Sequence, residues 1–319
     1  MDENGKRRNY VNERRPNNWG RWGDFDERGT ANYIDAAAVV RAAQLIKSGR
    51  VISCAIDIDP RTTPVPPDRA GIAHLYQYTG TDFIAADNSG RELPAFSGTD
   101  DYCFMALQTG THWDALAHSH HDQTIYNGFS IATISAYMGA RKGSIHRLQA
   151  ALVGRGVLLD LPRVAGVARL EPGHAITPAE LDEAARALHV EIQSGDILLV
   201  RTGHLAWYYT LEDRSEFWRA GSPGMSMEVV AWLHRSEVAA LAMDNVGIEV
   251  APHEDPSAGP YPMHSRLLRD LGLTIGELWG LEELAGACAE DGRYEFFLSA
   301  PPLAFVNASG SPINPIVIK

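Results

Sequence analysis

The chain has 319 residues, 45% of them hydrophobic and 21% charged, which is ordinary globular usage and excludes a disordered, collagen-like or coiled-coil description of the whole. Lys plus Arg total 28 against 40 Asp plus Glu, a formal charge of -12, which disfavours phosphate backbones and anionic membrane surfaces as partners. Three widely spaced cysteines, Cys54, Cys103 and Cys288, form neither a disulfide framework nor a CxxC metal knuckle, and with no apolar leader or 18-residue apolar run the expected setting is the cytoplasm, away from membranes.

Residues 1–30 are rich in Asn, Arg, Gly and Asp and read as an irregular arm ahead of a single domain over 31–319. Trp19 and Trp22 within it are costly to leave in water, so the arm is expected to dock on its own body or on a neighbouring subunit. Over 33–48 the apolar spacing predicts an amphipathic helix with Asp35 near its start, followed by a strand over VISCAIDI, 51–58. Residues 59–100 carry five prolines and little periodicity, which suggests a long surface segment covering something.

Further on, GVLLDL (156–161), DILLV (196–200) and VAALAM (238–243) have strand length. TPAELDEAARAL, with Thr177 and Glu180 placed as a capping box, and SMEVVAWLHRS read as helices between them. That alternation argues for an α/β fold. No GxGxxG after a strand, GxxxxGK[ST] or GxSxG occurs, so nucleotide-binding and serine-hydrolase readings lack their signatures.

The densest chemistry lies in QTGTHWDALAHSHHD, 108–122, which holds four of the 12 histidines. If FMALQTGTHWD is one strand, the period of two puts Gln108, Gly110, His112 and Asp114 on one face. An amide oxygen, an imidazole and a carboxylate then point together, with only a glycine hydrogen in the gap, as a metal would require. The apolar lead-in CFMAL predicts burial, and burying these groups without a metal or a dense hydrogen-bond network would cost several kcal/mol. His118 can return to the same place from the following loop, whereas His120 and His121 read as exposed. Trp113, Tyr126 and Phe129 either line a pocket for a flat substrate or pack the core.

A second cluster lies in 243–284. Asp244 ends a strand, His264 precedes an amphipathic turn, and Glu277 sits among apolar neighbours, so His264 and Glu277 are candidates to complete a ligand shell or to act as acid and base. Glu249, Glu254 and Asp255 are weaker candidates in a Pro-rich loop.

Together these residues resemble the cyclase family of metal-dependent hydrolases, which includes kynurenine formamidases and isatin hydrolases and carries the pattern His-x-Gly-Thr-His-x-Asp-x-x-x-His. NWGRWG, GDILLVRTGH (195–204), the 264–277 segment and GSPINP (310–315) extend the resemblance over most of the chain, closest to the longer tryptophan-rich members. The resemblance implies a swivelling β/β/α fold, a mixed β-core wrapped by helices, assembled as homodimers or homotetramers. It implies metal ligands at His112, Asp114, His264 and Glu277, and a proton-transferring role for His118. Gln108 stands where the family has its first ligand histidine, a neutral and weaker donor on which a second ion would depend.

A bound Zn or Mn ion lowers the pKa of its water to roughly 7, which suits attack by a metal-bound hydroxide on an amide, lactam or lactone, with His118 passing the proton to the leaving group. A metal-dependent lyase, dehydratase or ring-closing cyclase, and a non-catalytic metal or small-molecule binder, are the rival readings.

Overall fold

The computed structural model describes residues 15–91, 98–255, 257 and 261–319; the first 14 residues of the arm lie outside them. A nine-stranded mixed sheet forms the centre. Its strands in chain order are β1 (Val51–Ser53), β2 (His112–Asp114), β3 (Val153–Asp160), β4 (Ile197–Arg201), β5 (Ala240–Met243), β6 (Thr274–Glu277), β7 (Glu295–Ser299), β8 (Gly310–Pro312) and β9 (Ile316–Ile318). They lie in the order β1-β9-β7-β3-β4-β5-β6-β2-β8.

Strands β3 to β6 run parallel to one another, and the outer strands pair antiparallel on both sides. The parallel strands are the apolar runs read from the sequence. Val157 to Leu159, Ile197 to Val200 and Ala240 to Met243 are all buried, as expected for strands covered on both faces. Helices α1 (Ala36–Ala43), α2 (Pro178–Ala187), α3 (Val229–Ser236) and α4 (Glu282–Asp291) wrap this sheet, so the mixed α/β core expected from the resemblance is the observed fold. Asp35 caps α1 by accepting from the Ala38 N–H, and Thr177 with Glu180 forms the capping box of α2. No described helix is long and apolar enough to cross a membrane.

Two expectations need correction. The strand expected through 104–114 is two pieces: Asp101–Phe104 pairs with Ala73–Tyr76 in a separate ribbon, and only His112–Asp114 joins the main sheet. Gly110 between them sits at φ 65°, a left-handed turn conformation that breaks the alternation. The strand over 51–58 stops at Ser53: Cys54 N–H still reaches the Pro315 carbonyl, but the amides after it are taken by side chains, Ala55 N–H by the Ser53 hydroxyl and Ile56 N–H by the Thr111 hydroxyl. The described part of the 59–100 segment, 59–91 and 98–100, carries the ribbon strand Ala73–Tyr76 and a helix over Gly80–Asn88 opened by a Thr79–Asp82 capping box; residues 92–97 lie outside the described residues.

The described part of the arm docks on the body of its own chain. Trp19 donates its indole N–H to the Arg269 carbonyl at 2.7 Å, and Trp22 meets Tyr33 edge-on at 5.0 Å.

Candidate metal centre

β2 lies between β6 and β8, and register does the rest. Glu277 is directly opposite His112 in the antiparallel β6–β2 pair, so their side chains share a face, and Asp114 joins them two residues along β2. One ligand atom from each of His112, Asp114 and Glu277 lies within 4.8 Å of the other two, all buried. On the opposite face, Trp113 and Trp279 pack edge-on at 4.8 Å over Gly276. Trp113 donates its N–H to the Ala300 carbonyl, and Tyr126 and Phe129 are likewise buried, so all three aromatics pack the core.

Two members of the trio are left unsatisfied by the described residues. His112 Nδ1 donates to the Gly110 carbonyl at 2.8 Å, which leaves Nε2 as a lone pair directed to the carboxylates. His112 Nε2 and both Asp114 oxygens are buried without a hydrogen-bond partner. Such groups are costly to bury unpaired, and a divalent cation is the partner that fits two carboxylates and a neutral imidazole. Burial pushes the Asp114 carboxyl up to about 7, with His112 opposing and the Glu277 charge adding to the rise. Glu277 is equally buried but held low, chiefly by its hydrogen bond from His264.

His264 stands behind the trio. Its Nε2 donates to Glu277 Oε1 at 3.2 Å and its Nδ1 to Glu249 Oε1 at 2.9 Å, so it bridges two carboxylates. Burial opposes its charge, yet the two acids raise it to about 10. Glu249 also accepts the Met263 and His264 amides, and this second-layer role was not legible in its Pro-rich loop. Glu254 and Asp255 lie exposed outside this layer.

His118 flanks the trio from the loop after β2, with Nε2 3.7 Å from Asp114 Oδ1. Burial, then the His264 charge, lowers it to about 4, so the ring is neutral near pH 7. Gln108 lies off the strand. Its Nε2 is 3.3 Å from His118 Nδ1 and donates to the Ser309 hydroxyl at 3.2 Å, in space left open by Gly310, where a Cβ would sit 2.5 Å from that nitrogen. His120 and His121 are exposed. Asp244 serves the fold, accepting from the Thr202 amide and hydroxyl and from the Gly203 amide.

A cavity of about 240 Å³ opens onto the site, with Arg69, His118, Tyr261, His264 and Glu277 among its walls. Pro66 and Arg69 bring the 59–100 segment over it.

The Cyclase family model, described as "Putative cyclase", matches residues 33–250. A crystal structure of a novel cyclase is 42% identical, with a TM-score of 0.88 over 96% of this chain and 100% of that one. Isatin hydrolase A from Labrenzia aggregata, bound to benzyl benzoate, is 21% identical, with a TM-score of 0.58 over 84% of this chain and 93% of that one. Isatin hydrolase A from Ralstonia solanacearum is 22% identical, with a TM-score of 0.58 over 88% of this chain and 94% of that one. No curated protein matches the chain. The family model and the 42% identical structure, taken with the His112–Asp114–Glu277 cluster, establish that the chain belongs to the cyclase family.

Proposed function

We propose that the chain is a metal-dependent hydrolase that cleaves an amide, lactam or lactone carbonyl bond, with His112, Asp114 and Glu277 holding one divalent ion. The observation that carries this reading is the buried trio, in which His112 Nε2 and both Asp114 oxygens have no hydrogen-bond partner among the described residues. Its ligands are nitrogen and oxygen only, a set that suits Zn or Mn. When bound, such an ion supplies Lewis acidity and water made acidic enough to act near neutral pH. Isatin hydrolases are among the similar structures, and isatin is a cyclic amide, which favours C–N cleavage within this range.

The chain's own residues supply the rest. Glu249 and His264 fix the Glu277 carboxylate from behind, and the Gly110 carbonyl fixes the His112 tautomer. His118, neutral and at the cavity wall, takes a proton at one ring nitrogen and returns it to the leaving nitrogen or oxygen, as a general base and then acid. Gln108 steadies the His118 ring through Nδ1.

The test is metal analysis of the purified protein, followed by turnover of N-formyl aromatic amines, cyclic amides and lactones with and without EDTA. Turnover that stops with EDTA and returns with Zn or Mn is expected. His118→Ala should retain its ion and lose roughly 10²- to 10⁴-fold in kcat, the usual range for general acid and base catalysis. Products formed without consumption of water would replace hydrolysis with a lyase or cyclase reaction.

A further inference from the structure

The cavity holds one cation that the hydrolytic reading leaves unused. Pro66-Pro67-Asp68-Arg69 forms a turn closed by the Arg69 N–H on the Pro66 carbonyl at 2.9 Å, and a proline at the second position favours that turn. The Arg69 side chain lines the cavity, and one end of its guanidinium is tied to the Gln108 backbone carbonyl. Both ends of the residue are therefore fixed. A guanidinium has five N–H donors in a planar fork, and the carbonyl takes one. No carboxylate among the described residues forms an ion pair with Arg69, Asp68 of the cavity wall included.

Charge accounting sharpens the point. Asp114 and Glu277 carry two negative charges, which a divalent ion balances, and His264 is matched by Glu249. The Arg69 charge reaches Asp114, His118, Glu277 and Tyr261 across the cavity, and with the ion bound the one carboxylate of the cavity wall left to oppose it among the described residues is the exposed Asp68, which forms no ion pair with it. A half-buried, pre-positioned fork whose remaining donors have no partner among the described residues is what bidentate carboxylate recognition requires.

We propose that Arg69 is the anion-recognition residue of this cavity, and that the substrate carries a carboxylate alongside the bond that is cleaved. The inference rests on the cavity being the substrate site of the proposed hydrolase, but its test does not need turnover.

The measurement is calorimetric binding of 2-aminobenzoate and of its neutral isostere 2-nitroaniline to the full-length, metal-loaded chain. Charge-assisted bidentate pairing favours the carboxylate by roughly tenfold to a hundredfold. Arg69→Met should abolish that preference with metal content unchanged, and Arg69→Lys should keep part of it, since the charge stays and the fork goes. Three results would overturn the proposal: no carboxylate preference in the unaltered chain, a preference that survives in Arg69→Met because the ion alone attracts the carboxylate, or an equal loss for both probes. A carboxylate preference that depends on Arg69 without any turnover would instead sink the hydrolase reading and leave the anion site standing.

Discussion

Asp114 is buried with neither carboxylate oxygen paired, and that single fact sets how metal binding depends on pH. Burial holds its carboxyl at about 7 in the metal-free protein, so below that pH an incoming cation must displace a proton. Apparent metal affinity should therefore fall as pH drops below about 7, by up to about tenfold per pH unit, with a proton released to buffer on binding. Calorimetry at pH 6 and 8 in buffers of different ionisation enthalpy reads both quantities, and affinity flat across that range would mean the ion does not engage Asp114. Gln108 behaves differently. The trio closes without it and its amide nitrogen faces His118, so Gln108→Ala should keep one equivalent of metal by elemental analysis and lose kcat. Loss of the ion in that variant would make Gln108 a principal ligand.

At the scale of the strand, the site is a consequence of register. Shifting β6 by one residue against β2 would turn Glu277 to the tryptophan face and bring Gly276 opposite His112. Gly276 is what allows the correct register, because a Cβ there would lie 2.5 Å from the Trp279 indole nitrogen and 2.7 Å from the Trp113 ring. Gly276→Ala should cost about 1–3 kcal/mol by urea unfolding, as overpacked cores do, and should lower metal content as Glu277 is displaced. Unchanged stability would show that the two indoles can move apart. The same strands mark what a sequence can carry. The His112–Asp114 alternation was legible because both residues lie on one short strand, and the candidacy of Glu277 was legible as an acid in apolar company. Its pairing with His112, 165 residues away in sequence, was not, since register across an antiparallel pair is a long-range property. Gln108 was misplaced on the strand because nothing in QTGTH distinguishes a strand glycine from one at φ 65°. Glu249 was undervalued because a Pro-rich loop is usually a solvated one, and here it is folded under His264.

Across the whole molecule, the N-terminal segment and the metal centre are joined through one helical turn. His264 leads directly into a π-helix over Ser265–Leu271, whose last carbonyls have no partner within the helix. The arm supplies partners: the Trp19 indole binds the Arg269 carbonyl at 2.7 Å, the Asn18 amide the Asp270 carbonyl at 3.0 Å, the Asn18 side chain the Leu271 carbonyl at 2.9 Å, and Thr30 N–H the Gly272 carbonyl at 2.9 Å. The Arg269 guanidinium also lies over the Trp19 ring at 4.7 Å, and Tyr126 donates to Asp26 at 3.0 Å. The arm thus caps the element that aims His264 at Glu277. Asn18→Ala leaves one carbonyl orphaned in a buried position, which should cost about 1–3 kcal/mol. Trp19→Phe keeps an aromatic ring beside Gly128 and Arg269 but removes the donor, with a similar expected cost. Combining the two should loosen the turn far enough to be read at the metal centre, as faster loss of the ion to EDTA at neutral pH, although neither residue touches a ligand. The result that would separate the arm from the site is a double variant that is destabilised in urea yet releases its metal at the unaltered rate.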